Sequence, residues 1–167
     1  MRLFTALWPP VDAVDALRAA LPPAPEGWRA TDPDSWHVTL AFHGEADPGV
    51  RARELDAAAR GAPAPRLRAS GSGAFPGVVW AGVRAEPLAA LHALVAAAGG
   101  DPSAFTPHVT VLRRRGHRGA PPAWSPPAWS PPDGPWWTPT EVLLVHSGLA
   151  RGGPRYRVVH RVPLTPP

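Results

Sequence analysis

Two short runs of alternation, one in each half of the chain, limit the fold more than any other feature of the sequence. Trp36-His37-Val38-Thr39-Leu40-Ala41-Phe42 reads as a strand with His37 and Thr39 on one face and Val38, Leu40 and Phe42 on the other. Pro107-His108-Val109-Thr110-Val111-Leu112 repeats the pattern, with His108 and Thr110 opposed by Val109 and Val111. A strand with one apolar face has to bury that face against a second layer. Two such strands, each showing an imidazole beside a hydroxyl, predict a two-fold arrangement in which both histidines face one cleft.

Proline punctuates the rest. Its 25 residues must fall in loops, turns and helix starts, because proline has no amide hydrogen for a ladder. Arg2 to Trp8 reads as a strand ended by Pro9-Pro10. Val11, Val14, Leu17 and Leu21 recur at helical spacing, and Pro22-Pro23 stops that helix. Residues 26–35 read as a polar connection. Pro48 to Gly61 reads as a second helix, and residues 67–73 and 78–84 as two strands around Phe75-Pro76-Gly77. Pro87 opens an alanine-rich third helix, closed by Gly99-Gly100. Residues 116–137 hold a tandem Pro-Ala-Trp-Ser-Pro repeat, read as an extended loop that is either inert decoration or a flap over the cleft. Strands at Glu141–Ser147 and Arg155–Val162, joined through Gly148 to Pro154, close the chain. The order predicts an α+β fold with antiparallel sheets and helices on the outer faces, in one domain over residues 1–167.

Composition removes several chemistries. There is no cysteine, which excludes disulfides, thiolate nucleophiles and cysteine-ligated zinc. All 17 basic residues are arginine, so no lysine is available for a Schiff base. No Gly-x-Gly-x-x-Gly follows a strand and no Gly-Lys-Ser or Gly-Lys-Thr phosphate loop occurs. No apolar run approaches membrane-spanning length. The N-terminus reads as a strand rather than a signal peptide, and the cytoplasm is the expected compartment. The net charge of +4 favours an anionic partner weakly, though arginine suits phosphate geometry well.

Two imidazoles can serve as acid and base at neutral pH. Hydrolysis of a phosphodiester needs both, on opposite sides of phosphorus, because attack is in line. A threonine two residues beyond each histidine can donate to a phosphoryl oxygen. This chemistry requires neither metal nor cofactor.

These residues resemble the two-histidine phosphoesterases, and among them the RNA 2′,3′-cyclic phosphodiesterases, also called 2′-5′ RNA ligases. The similarity runs through Arg2-Leu3-Phe4, the run from Trp36 to Phe42 with Gly44-Glu45, Val78 to Val83, Phe105 to Arg113, Ser147-Gly148-Leu149 and Tyr156. The resemblance implies a bilobal fold of two antiparallel sheets, outer helices, pseudo-two-fold symmetry and a central cleft. It implies opening of a 2′,3′-cyclic phosphate on RNA to a 2′-phosphate. His37 would then be the proton donor and His108 the proton acceptor, with Thr39 and Thr110 holding the phosphate. Arg113 would contact phosphate, and Phe4 and Phe42 would contact substrate, Phe4 by stacking on the base. The expected partner is RNA or an oligonucleotide with a cyclic phosphate end, and the expected state is a monomer.

Ligation of a cyclic end to a 5′-hydroxyl RNA uses the same residues, so the sequence leaves hydrolase and ligase open. A non-catalytic RNA-binding module, using Arg113-Arg114-Arg115 and the tryptophans, is a third reading. Strict alternation also puts His43 on the face of His37, although a plain surface histidine is the simpler expectation.

Overall fold

Both alternating runs lead into strands in the computed structural model, which describes residues 1–115 and 129–167, with Trp36 and His37 standing just ahead of theirs. The described elements are β1 (Arg2–Leu7), α1 (Val11–Ala20), β2 (Trp28–Ala30), β3 (Val38–Glu45), α2 (Pro48–Ala59), β4 (Arg66–Phe75), β5 (Val78–Glu86), α3 (Leu88–Ala97), β6 (His108–Arg114), β7 (Glu141–Ala150) and β8 (Gly153–Pro163). They build two four-stranded antiparallel sheets, in the orders β3-β1-β7-β8 and β2-β6-β5-β4. No described helix is long and apolar enough to cross a membrane.

Pseudo-two-fold symmetry follows from the connectivity. In the first lobe β1 leads through α1 to β3, its antiparallel neighbour. In the second lobe β5 leads through α3 to β6, its antiparallel neighbour. Each His-x-Thr strand therefore follows a helix and pairs with the strand that precedes that helix. The apolar faces of both sheets share one core with the helices. Leu3, Leu7 and Val38 come from the first sheet, Val79, Val109 and Val111 from the second, and Leu17, Leu55, Leu91 and Leu94 from the helices. Each fully buried leucine contributes about 1.5–3 kcal/mol of transfer free energy. A smaller cluster, Phe4, Ala6, Leu143 and Val145, lies on the opposite face of the first sheet, with Trp8, Tyr156 and Val158 against it.

Two segments differ from the sequence reading. Residues 28–30, expected in a polar connection, form β2 against Arg114, Arg113 and Leu112 of β6. Buried Trp28, 7% exposed, anchors this strand, and one aromatic among polar residues is too little periodicity to read. The connection expected over residues 148–154 is shorter, because β7 and β8 stay paired out to Ala150 and Gly153. Gly152 and Gly153 make the turn, with φ of 90° and 132° that only glycine adopts without strain.

The loop expected over residues 116–137 lies outside the described residues up to position 128, and the flap reading falls there. Its last part is a strap along the edge of β4. Leu67 and Trp137 exchange backbone hydrogen bonds of 2.7 and 2.8 Å, Gly134 N–H donates to Ala69 O, and Arg68 Nε donates to Gly134 O. Trp136 lies under the guanidinium groups of Arg66 and Arg68, 4.2 and 4.8 Å from its centroid. Trp129 packs on the core and donates from Nε1 to Ala20 O. The strap covers the ladder groups that an edge strand otherwise exposes.

Candidate active site

The local structure before each motif is built alike. Asp32 accepts from Asp34 N–H and starts a 3₁₀ turn over Pro33–Ser35; Asp101 accepts from Ser103 N–H and starts another over Pro102–Ala104. His37 Nδ1 then donates to Ser35 O at 2.6 Å, and His108 Nδ1 donates to Thr106 O at 2.7 Å. A carbonyl only accepts, so in each neutral ring the proton sits on Nδ1 and the lone pair on Nε2. Neither Nε2 has a hydrogen-bond partner among the described residues. Two groups with the same tautomer thus stand at equivalent points of the two lobes.

Matching bulges follow. Between Thr5↔Ala41 and Ala6↔Thr39, Leu40 has no partner on β1. Between Val79↔Leu112 and Trp80↔Thr110, Val111 has no partner on β5. An extra residue reverses the alternation beyond it. Leu112 therefore joins the core, at 3% exposure, and Arg113 turns to the face of His108 and Thr110. The equivalent bulge turns Phe42 to the face of Phe4, which corrects the strict alternation that put Phe42 on the core side. By alternation from Phe42 the same bulge sends His43 the other way, correcting the face expected for it. Its Nε2 lies 2.8 Å from the hydroxyl of buried Thr5, and burial lowers its pKa, with the Arg51 guanidinium acting in the same sense.

His37 sits in an aromatic box. Its centroid is 4.9 Å from Phe4, 4.8 Å from Trp8 in a stacked pair, and 5.3 Å from Tyr156 edge-on. Phe4 and Ala6 share one face of β1 by simple alternation, and Trp8, just past its end, packs on the same side. Phe4 is only 4% exposed, so it has no free face for a base, contrary to expectation. Phe42, 80% exposed and 6.3 Å from Phe4 between centroids, does. His108 meets Phe75 edge-on at 5.2 Å and Trp80 at 5.8 Å. The Trp80 ring can lie there because its neighbour on β4 is Gly73, where a Cβ would fall 2.2 Å from the ring.

Burial pulls the His37 pKa from 6.5 down to about 4; Ser35 O opposes this, while the charges of Arg113 and His108 add to it. Those last two influences come from the other sheet, so His108 and Arg113 lie within electrostatic reach of His37. Burial also pushes the Tyr156 phenol up, with Arg113 opposing, and it keeps its proton. Thr39 and Thr110 are half-buried and reachable. Among the described residues no group of three His, Asp or Glu side chains converges as a metal ion would need.

The His37 shift fixes a pH dependence. The unfolded chain binds a proton near pH 6.5 that the folded chain resists until about pH 4. Folding stability is therefore expected to fall as pH drops through that window, by at most about 3 kcal/mol, less any screening at the exposed ring edge. Urea unfolding at pH 7 and 4.5 measures it. His37→Gln should lose this part of the slope; an unchanged slope would mean that His37 titrates normally.

Thr31, which the sequence reading passed over, ties the two motifs together. The Trp36 indole donates to Thr31 Oγ1 at 2.7 Å, Thr31 Oγ1 donates to Thr110 O at 2.8 Å, and Thr31 N–H donates to Val111 O.

A bilobal α+β fold with one His-x-Thr strand per lobe, the histidines facing across a cleft, is that of the two-histidine phosphoesterases. The chain belongs to the 2′-5′ RNA ligase superfamily, whose family model matches residues 4–148. Among solved structures it is similar to Escherichia coli LigT complexed with NADP+ (30% identity, TM-score 0.74, 98% of each chain covered). It is similar to LigT complexed with 3′-AMP (28%, TM-score 0.70, 98% of each). It is also similar to the TT0787 protein of Thermus thermophilus (28%, TM-score 0.72, 98% of this chain and 97% of that one). No curated protein matches it by sequence.

Proposed function

We propose that this protein opens 2′,3′-cyclic phosphate ends of RNA to 2′-phosphomonoesters by metal-independent acid and base catalysis. The observation that carries the reading is the mirrored pair of imidazoles, each held through Nδ1 by a backbone carbonyl and each with a threonine two residues on. His108 Nε2 takes a proton from water as its oxygen attacks phosphorus. The P–O3′ bond breaks, and O3′ takes the proton from His37 Nε2. Thr39 and Thr110 donate to the non-bridging oxygens, and Arg113 adds a guanidinium. Phe42 offers an aromatic face to the base.

His37 is neutral at pH 7 in the free protein, so as donor it has to acquire its proton with the substrate. An anionic phosphate against Nε2 favours the charged ring, and the aromatic box then makes that proton easy to give up. LigT has been solved with phosphate and with 3′-AMP, which agrees with a nucleoside phosphate in this cleft.

Incubation with adenosine 2′,3′-cyclic phosphate in EDTA should give adenosine 2′-phosphate. Loss of activity in EDTA with recovery on zinc would reject the mechanism, and 3′-phosphate as product would reject the donor and acceptor roles. The family description favours one second reading, the reverse reaction. A 2′-5′ junction formed from cyclic-ended and 5′-hydroxyl RNAs would identify it.

A further inference from the structure

The two lobes match strand for strand and differ at the position beside each histidine. In the first lobe Ala6 pairs with Thr39 and Leu7 with Val38, so one step further along both chains sets Trp8 beside His37. In the second lobe Trp80 pairs with Thr110, Ala81 with Val109 and Gly82 with His108. Trp8 and Gly82 therefore hold equivalent positions. A Cβ at Gly82 would fall 2.4 Å from Ser70 O, so β4 leaves no room there for a side chain. Trp80 stands two residues earlier and meets the His108 ring at 5.8 Å and 51°. The Trp8 ring lies 4.8 Å from that of His37 at 21°, the nearest to parallel of the three rings in the box.

One 3₁₀ turn orients both members of this stack. Trp8 Nε1 donates to Asp34 O, and His37 Nδ1 donates to Ser35 O, the next carbonyl along. The other charged or titratable groups around the His37 ring are Arg113 and His108 of β6, whose charges oppose a cation there, and the Tyr156 phenol of β8, which meets the ring edge-on. Burial opposes the cation as well, and Ser35 O favours it. His108 has the same carbonyl support, from Thr106 O. The feature found in the first lobe alone is the indole face, and indole is the best aromatic partner for a cation.

We propose that Trp8 is a positioning residue that acts through His37, its indole face favouring the imidazolium when a phosphate is bound, and that Trp8 opposite Gly82 makes the first lobe the proton-donating one. This rests on the hydrolase reading above. The stack offsets part of what burial takes from the charged ring, and His108, with no side chain at the equivalent position, stays neutral and accepts.

The pH profile of kcat for adenosine 2′,3′-cyclic phosphate tests the stack. A proton donor has to be charged in the bound complex, so kcat falls as pH rises through its pKa there. Trp8→Leu keeps apolar bulk and removes the aromatic face. Its basic limb should lie about half to one pH unit lower, a roughly three- to tenfold loss of kcat on that limb. The acidic limb, set by His108, should stay in place, which a general weakening of the fold would not produce. Trp8→Phe keeps a ring, should bring the basic limb most of the way back, and guards against a fold defect in the leucine variant. NMR titration of His37 in saturating sulfate needs no turnover and should show the same downward shift in Trp8→Leu. Wild-type limbs and titration in Trp8→Leu, or a phenylalanine variant no better than the leucine one, would overturn the role of Trp8 and leave the hydrolase reading intact. No turnover by the wild type, with a sulfate-bound titration that still follows the ring at position 8, would reject the hydrolase reading and leave the stack standing.

Discussion

His108→Ala is expected to lower kcat for adenosine 2′,3′-cyclic phosphate by roughly 10²–10⁴-fold, and His37→Ala by a similar factor. Both rings sit at the cleft edge rather than in the main core, so each variant should fold. The two groups act on one displacement, one at the entering oxygen and one at the departing oxygen. Removing the second after the first has little left to remove, so the double variant should fall within about tenfold of the worse single variant. Single-turnover assays beside thermal melts separate chemistry from folding. A folded variant that keeps about a tenth of the wild-type rate would mean that its imidazole carries no proton in the reaction.

The second large effect is on stability. Trp36 is 2% exposed and its indole fills the core directly behind His37. Trp36→Ala is expected to cost about 3–5 kcal/mol, which for a chain of this size lowers Tm by roughly 10 °C. Thr31→Val tests the tie without the cavity. It leaves the Trp36 N–H without its acceptor and Thr110 O without one donor, at a cost of about 1–3 kcal/mol. If Thr31 also aligns the motifs, kcat should fall with KM nearly unchanged, a split that simple loss of stability would not produce. Identical melts for wild type and Thr31→Val would remove the tie from the account.

How much of this was legible before the coordinates depends on the length of each signal. His37, Thr39, His108 and Thr110 could be placed because alternation over five or six residues fixes a face. The faces of His43, Phe42 and the residues beyond Thr110 could not, because one extra residue in a strand reverses them and a bulge at Leu40 or Val111 has no composition of its own. Arg113 came from family resemblance, and the bulge gives the physical reason it reaches the cleft. Phe4 also came from family resemblance, and its depth under His37 depends on Tyr156, far along the chain. The aromatic box and the Thr31 tie join residues far apart along the chain, and no local pattern encodes them. One signal was available and passed over: Asp32-Pro33 and Asp101-Pro102 each stand shortly before a motif histidine and start the turns that hold it.

The strap along β4 has a consequence for self-association. Before residue 116, Arg115 N–H is bonded to Gly27 O; after residue 128, Trp129 is bonded to Ala20 O and to the Ser72 hydroxyl. The contacts hold the strap against β4, so a strand of another molecule cannot join that edge without first breaking them.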